Sequence, residues 1–117
     1  MQYQLENLKV WQVSLGFVTR IYEITREFPK EERYGLTGQM RRAAVSIPSN
    51  IAEGKGRGHP KEYMQFLYVA KGSALELMTL IHVAKNLKYL SGELAEELLK
   101  AVSEVTAMLT SLIKTLH

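Results

Sequence analysis

The sequence predicts an all-α fold, an antiparallel up-down-up-down four-helix bundle built as a single domain over residues 1–117. Three observations point there. Apolar residues recur at spacings of three and four in four long stretches, the period of a helix with one buried side. Short connections join the stretches, which makes consecutive helices antiparallel. No segment alternates apolar and polar residues as a strand does, and three prolines and eight glycines are few for an all-β chain. With 46% hydrophobic and 23% charged residues, the chain has the composition of a folded domain.

The first helix is expected from about Leu8 to Phe28, ended by Pro29. Leu8, Trp11, Leu15, Val18, Tyr22 and Thr25 form one stripe along it, and Val10, Val13, Phe17, Ile21, Ile24 and Phe28 lie beside them. The second is expected from near Tyr34 to about Glu53, with Leu36, Met40, Ala43, Ala44, Ile47 and Ile51 on its apolar side. Pro48 removes one backbone hydrogen bond and crowds the Ala44 carbonyl, so a kink or a break into two helices is expected there. Gly54-Lys55-Gly56-Arg57-Gly58 then reads as a glycine-rich loop.

The third helix opens at Pro60, a favoured first helical residue, and runs to about Tyr89. Tyr63, Leu67, Ala70, Ala74, Leu77, Ile81 and Ala84 make its main stripe, with Phe66, Val69, Ser73, Leu80 and Leu87 adjacent. His59 stands where a Ser/Thr-x-x-Glu capping box ending at Glu62 would need a hydroxyl. Ser91 is the expected N-cap of the fourth helix, whose stripe is Leu94, Leu98, Val102, Val105, Leu109, Leu112 and Leu116. The first and third helices each carry two adjacent stripes, more than the roughly 100° one bundle face buries. Either the core is generous and some hydrophobes lie scattered on the surface, or a second surface is buried by self-association.

Several function classes are disfavoured. There are no cysteines, hence no disulfides, thiolate metal site or cysteine nucleophile. His59, His82 and His117 form no metal motif, and no Glu-x-x-His pair occurs. His82, in an apolar helix, is expected to be partly buried and hydrogen-bonded. Ser46 and Ser49 have no histidine nearby in sequence and no Gly-x-Ser-x-Gly turn. With Asn50 they read as partners for backbone groups freed by Pro48. Gly54-x-Gly56-x-Gly58 follows a helix and lacks dinucleotide-fingerprint spacing. No enzyme, metal or cofactor is therefore expected. No uninterrupted apolar run approaches the roughly 18 residues of a membrane span, and Met1–Lys9 has no signal-peptide core. A cytoplasmic protein away from membranes is the expectation.

The net charge of +3 is unevenly spread. Residues 33–61 hold Arg33, Arg41, Arg42, Lys55, Arg57 and Lys61 against Glu53 alone, a formal +5, while residues 91–117 sum to −2. Arg41, Arg42, Lys55, Arg57 and Lys61 are the candidate phosphate-binding residues: cations on a helix, in a glycine-rich loop and at a helix start suit an anionic backbone. The alternative is a solvated face whose arginines pair with Glu53 or with the fourth helix. Glu93, Glu96 and Glu97 either complement that helix's dipole or dock basic segments of a neighbour.

The stretch from Glu32 to Gly54, with its Ser46-Ile47-Pro48-Ser49-Asn50-Ile51-Ala52-Glu53-Gly54 core, resembles the hallmark of the 23S rRNA intervening-sequence protein family, also called the four-helix bundle protein family. Leu8-Lys9-Val10-Trp11, Phe28-Pro29 and the run Ala70 to Leu77 resemble it too. The family includes the accessory variability determinant of diversity-generating retroelements. The resemblance implies an antiparallel four-helix bundle that assembles as a ring-like homopentamer. It implies a non-enzymatic protein that binds RNA or DNA. The alternative it leaves open is a protein-interaction scaffold that docks a reverse transcriptase or another partner.

Overall fold

Four helices carry the chain: α1 (Lys9–Thr25), α2 (Leu36–Gly56), α3 (Pro60–Asn86) and α4 (Gly92–Lys114). Short 3-10 turns at Leu5–Asn7 and Lys30–Glu32 precede α1 and α2. This architecture is seen in a computed structural model describing residues 4–117; Met1, Gln2 and Tyr3 of the Met1–Lys9 stretch lie outside the described residues. The bundle measures 43 × 22 × 20 Å. α2 packs most extensively on α3, α3 on α4 and α1 on α2, and the α1–α4 seam is the slimmest. The main stripes of α2, α3 and α4 supply the core together with the Val10, Phe17, Ile21 and Ile24 stripe of α1, and Ile21, Met40, Ile51, Leu67, Leu77, Ile81, Val102 and Leu109 are wholly buried.

The boundaries depart from the sequence reading in four places. α1 stops at Thr25, because residues up to Phe28 tighten into i→i+3 bonds ahead of Pro29. α2 begins at Leu36 and does not break at Pro48. Ala43, Ala44, Ile47, Pro48 and Ile51 are all buried, and that packing outweighs the roughly 3 kcal/mol an interior proline costs. Asn50 Nδ2 donates to the Ser46 carbonyl (2.8 Å) and to Ser46 Oγ (2.9 Å), and Ser46 Oγ meets Ser73 Oγ of α3 at 2.8 Å. Of these polar residues only Asn50 engages backbone, at the Ser46 carbonyl, and none bonds the Ala44 carbonyl that Pro48 frees, contrary to expectation.

α2 also continues through Gly54 and Lys55 to Gly56, so Lys55 lies on a helix and not in a loop. The helix carries glycine at position 54 because α3 crosses it closely there. A Cβ at this position would lie 2.5 Å from Phe66 Cβ and 3.1 Å from Tyr63 Cδ1. α3 ends at Asn86, three residues earlier than expected. Tyr89 N–H donates to the Ala84 carbonyl and Lys88 N–H to Lys85, with Lys88 at φ 67 in the position glycine usually fills. Ser91 caps α4 as expected, its hydroxyl accepting from Leu94 N–H at 3.0 Å. His82 is exposed on α3, not partly buried.

One helix, α3, is by length and composition alone apolar enough to cross a membrane, although no uninterrupted apolar run does so. Its apolarity is divided. Leu67, Ala70, Ala74, Leu77 and Ile81 fill the core, while Tyr68, Val69 and Leu75 face outward.

The start of α2 is held from a distance. Glu32 Oε1 accepts from Leu36 N–H at 3.1 Å, and Oε2 accepts from the Tyr89 hydroxyl at 2.9 Å. Tyr89 in turn stacks on Phe28, ring centroids 5.3 Å apart. Gly35 leaves room for this carboxylate, since a Cβ there would sit 2.8 Å from Oε1. The Leu36 N–H bond, then the Tyr89 bond, hold the Glu32 pKa below the usual glutamate value. A carboxyl with a lowered folded pKa contributes stability above its unfolded pKa of about 4.3 and loses it as pH falls through the folded value. Glu32→Gln is therefore expected to be less stable than the parent at pH 7, with the difference closing on acidification below about pH 4.3. Thermal unfolding of both proteins across that range checks it.

Candidate nucleic-acid interface

Arg33-Tyr34-Gly35 leads from the Lys30–Glu32 turn directly into α2. From α2, Arg41 reaches back to Tyr22 and Thr25 in the last turns of α1. The result is an open groove of about 500 Å³ lined by Tyr22, Arg33, Tyr34, Gly38, Arg41 and Arg42, with Val45 and Ser46 at its far side. No carboxylate lines it. A neighbouring groove of about 450 Å³ shares Arg33 and Arg41 and adds Arg26 and Lys30, again without a carboxylate.

Arg41 is fixed in this corner. Its Nε donates to Thr25 Oγ1 at 2.9 Å and an Nη to the Tyr22 carbonyl at 3.3 Å, and its guanidinium lies 4.5 Å from the Tyr22 ring centroid. Thr25 Oγ1 donates onward to the Ile21 carbonyl at 2.7 Å, which orients it as an acceptor for Arg41. A buried threonine in the apolar stripe of α1 is thus an arginine anchor. Arg42 and Arg33 are exposed, and the Arg33 guanidinium lies 5.6 Å from the Tyr34 ring. Gly38 keeps the floor clear, since a Cβ there would lie 3.2 Å from an Arg42 Nη.

Lys55, Arg57 and Lys61 lie elsewhere. Arg42 and Arg57 are fifteen residues apart along α2 and its cap, roughly 22 Å at 1.5 Å per residue. The unbroken α2 therefore splits the five expected residues into two lobes. In the second lobe Lys55 Nζ lies 5.8 Å from the Tyr63 ring and the Arg57 guanidinium 4.9 Å from the Phe66 ring. Burial pushes the Tyr63 phenol pKa up, and its hydroxyl has no hydrogen-bond partner. Lys61 is exposed in the first turn of α3.

Arg33, Tyr34, Arg26 and Lys30 are in the corner and were not among the expected site residues. Arg33 counted toward the +5 segment, but Arg26 and Lys30 lie in residues 1–32, where Glu23, Glu27, Glu31 and Glu32 mask them in any sum. Among the described residues, no group of three or more His, Asp or Glu is placed to hold a metal ion.

The outer surface carries three apolar areas, one of them a groove of about 380 Å³ between α1 and α4 lined by Leu8, Val10, Ala107, Met108 and Leu112. Trp11, Leu15, Val18, Val45, Pro48 and Ala52 line a groove of about 390 Å³ between α1 and α2. On α3, Tyr68, Val69 and Leu75 are each 53% exposed, around Gly72, where a Cβ would meet nothing within 4 Å. The first-named stripe of α1, apart from buried Thr25, and part of the second stripe of α3 thus stay at the edge of the core or outside it.

A family model described as 23S rRNA-intervening sequence protein matches residues 6–111. Among solved structures, a protein of unknown function from the S23 ribosomal protein family of Bacteroides thetaiotaomicron superposes with a TM-score of 0.83. The two are 24% identical, and the match covers 90% of this chain and 95% of that one, a likeness of fold. No curated protein matches the chain.

Proposed function

The chain belongs to the 23S rRNA-intervening sequence protein family, and from that membership we propose that it is a non-enzymatic, self-associating protein that binds the phosphate backbone of RNA or DNA. The observation that carries this reading is the corner at the α1–α2 turn: three guanidiniums around one groove with no carboxylate lining it. Like charges held together without counter-charges repel, and an anion relieves them. Arginine forks match phosphate oxygens in pairs, and Arg41 is already oriented by Thr25 and Tyr22. Lys55, Arg57 and Lys61 form a second contact on the same backbone. Contacts of this kind position a strand and read no sequence.

Fluorescence anisotropy with a structured RNA and a DNA duplex tests it. Both are expected to bind at low salt and to be released steeply as salt rises, through uptake of counterions. Absence of binding to either at low salt, by a folded and assembled protein, overturns the reading.

Assembly is the second part of the proposal. The α1–α2 groove and the outward face of α3 are different surfaces, and pairing of two different patches runs head to tail, the arrangement that makes a ring where the rotation between subunits closes. Five subunits is the ring that the family resemblance implies. Leu75→Glu, at an exposed position on α3, is expected to leave helix content unchanged and to give a monomer at micromolar concentration in light scattering. An unchanged assembly would exclude this face from the contact.

A further inference from the structure

We propose that the α1–α2 corner takes an unpaired nucleotide, its base stacked on the Tyr34 ring and its flanking phosphates held by Arg33, Arg41 and Arg42. The proposal rests on the nucleic-acid reading above and narrows it to single-stranded segments or loops. Tyr34 is 87% exposed, the most exposed of the large apolar residues of the described chain. The other aromatic residues nearby are engaged. Arg41 covers Tyr22, and Phe28 and Tyr89 stack on each other, with the Tyr89 hydroxyl committed to Glu32. The Tyr34 ring meets the Arg33 guanidinium 5.6 Å from its centroid, which leaves a ring face open beside the groove.

A tyrosine held in water at the rim of an arginine-lined groove offers what backbone contacts lack. Every base has a π-face, so stacking adds affinity without sequence preference. Bases in a duplex are stacked on one another already and present only their edges. Tyr34 therefore distinguishes single strands from duplexes, whereas the arginines do not. Gly38 serves the same geometry, since a side chain there would displace the Arg42 guanidinium.

The test compares the full-length protein with Tyr34→Ala and Tyr34→Phe, using a single-stranded oligonucleotide and its duplex at low salt. Tyr34→Ala is expected to weaken single-strand binding by about five-fold or more, the effect of losing one stacked base, and to leave duplex binding unchanged. Tyr34→Phe, which keeps the ring, is expected to bind both like the parent. If Tyr34→Ala binds single strand and duplex as the parent does, or loses both equally, stacking is overturned while backbone binding stands. If the parent binds neither at low salt, both readings fail together. A change in assembly size for Tyr34→Ala in light scattering would also overturn the proposal, since the ring would then belong to a subunit contact.

Discussion

Replacing Arg33 and Arg42 together by alanine is expected to reduce affinity for any RNA or DNA by about a hundredfold at low salt, with the fold intact. Each arginine side chain is exposed, and surface changes of this kind shift stability by only about 0.5 kcal/mol. Each charge-assisted contact to a phosphate is worth about 1.5 kcal/mol or more, roughly tenfold in binding. Arg41 is a poorer probe. Its removal also strips partners from Thr25 Oγ1, the Tyr22 carbonyl and the Tyr22 ring, so a loss of binding would be mixed with a loss of structure. Substituting Lys55, Arg57 and Lys61 is expected to produce a separate loss, because that lobe lies roughly 22 Å away along α2.

Gly54→Ala is expected to destabilise the bundle by about 1–3 kcal/mol, lowering the thermal midpoint by roughly 5–15 °C. The sign is the informative part. In an ordinary helix interior, alanine is more favourable than glycine by about 1 kcal/mol. Here the new methyl would lie 2.5 Å from Phe66 Cβ, an atom next to the α3 backbone that no rotamer change can move aside. Relief would require α2 and α3 to separate, along the most extensive contact in the bundle. Gly16→Ala is the matched control: a Cβ there meets nothing within 4 Å, and that change is expected to stabilise. Thermal unfolding of the two variants beside the parent checks both signs.

The helices were legible because a packed helix must repeat its apolar residues at its own period. Val10, Phe17, Ile21 and Ile24 in α1, and Leu98, Val102, Val105 and Leu109 in α4, lie in the core as their spacing requires. Gly54 and Pro48 were misread for one reason. Their local meaning is loop or kink, while their actual meaning depends on α3, from which Phe66, Tyr63 and Ser73 approach. The residues that carry the signal for Gly54 are Tyr63 and Phe66, nine and twelve positions on, in the next helix. The candidate site suffered accordingly. With α2 expected to end at Glu53, five cations read as one patch; with α2 continuous, Arg41 and Arg42 go with Arg33 and Tyr34 instead. The role of Thr25 as an arginine anchor was hidden because its stripe reads as apolar. That of Glu32 was hidden because it caps α2 across a turn, four residues ahead of Leu36.

The central claim is that this corner binds phosphate backbones by charge. The most direct measurement is the slope of log affinity against log salt for the parent and for the Arg33→Ala/Arg42→Ala variant on one structured RNA. Each lost phosphate contact removes about 0.7–0.9 from the slope, so the variant is expected to be shallower by about 1.4–1.8 for each corner in contact. Equal slopes for the two proteins, or binding that does not respond to salt, would contradict the account.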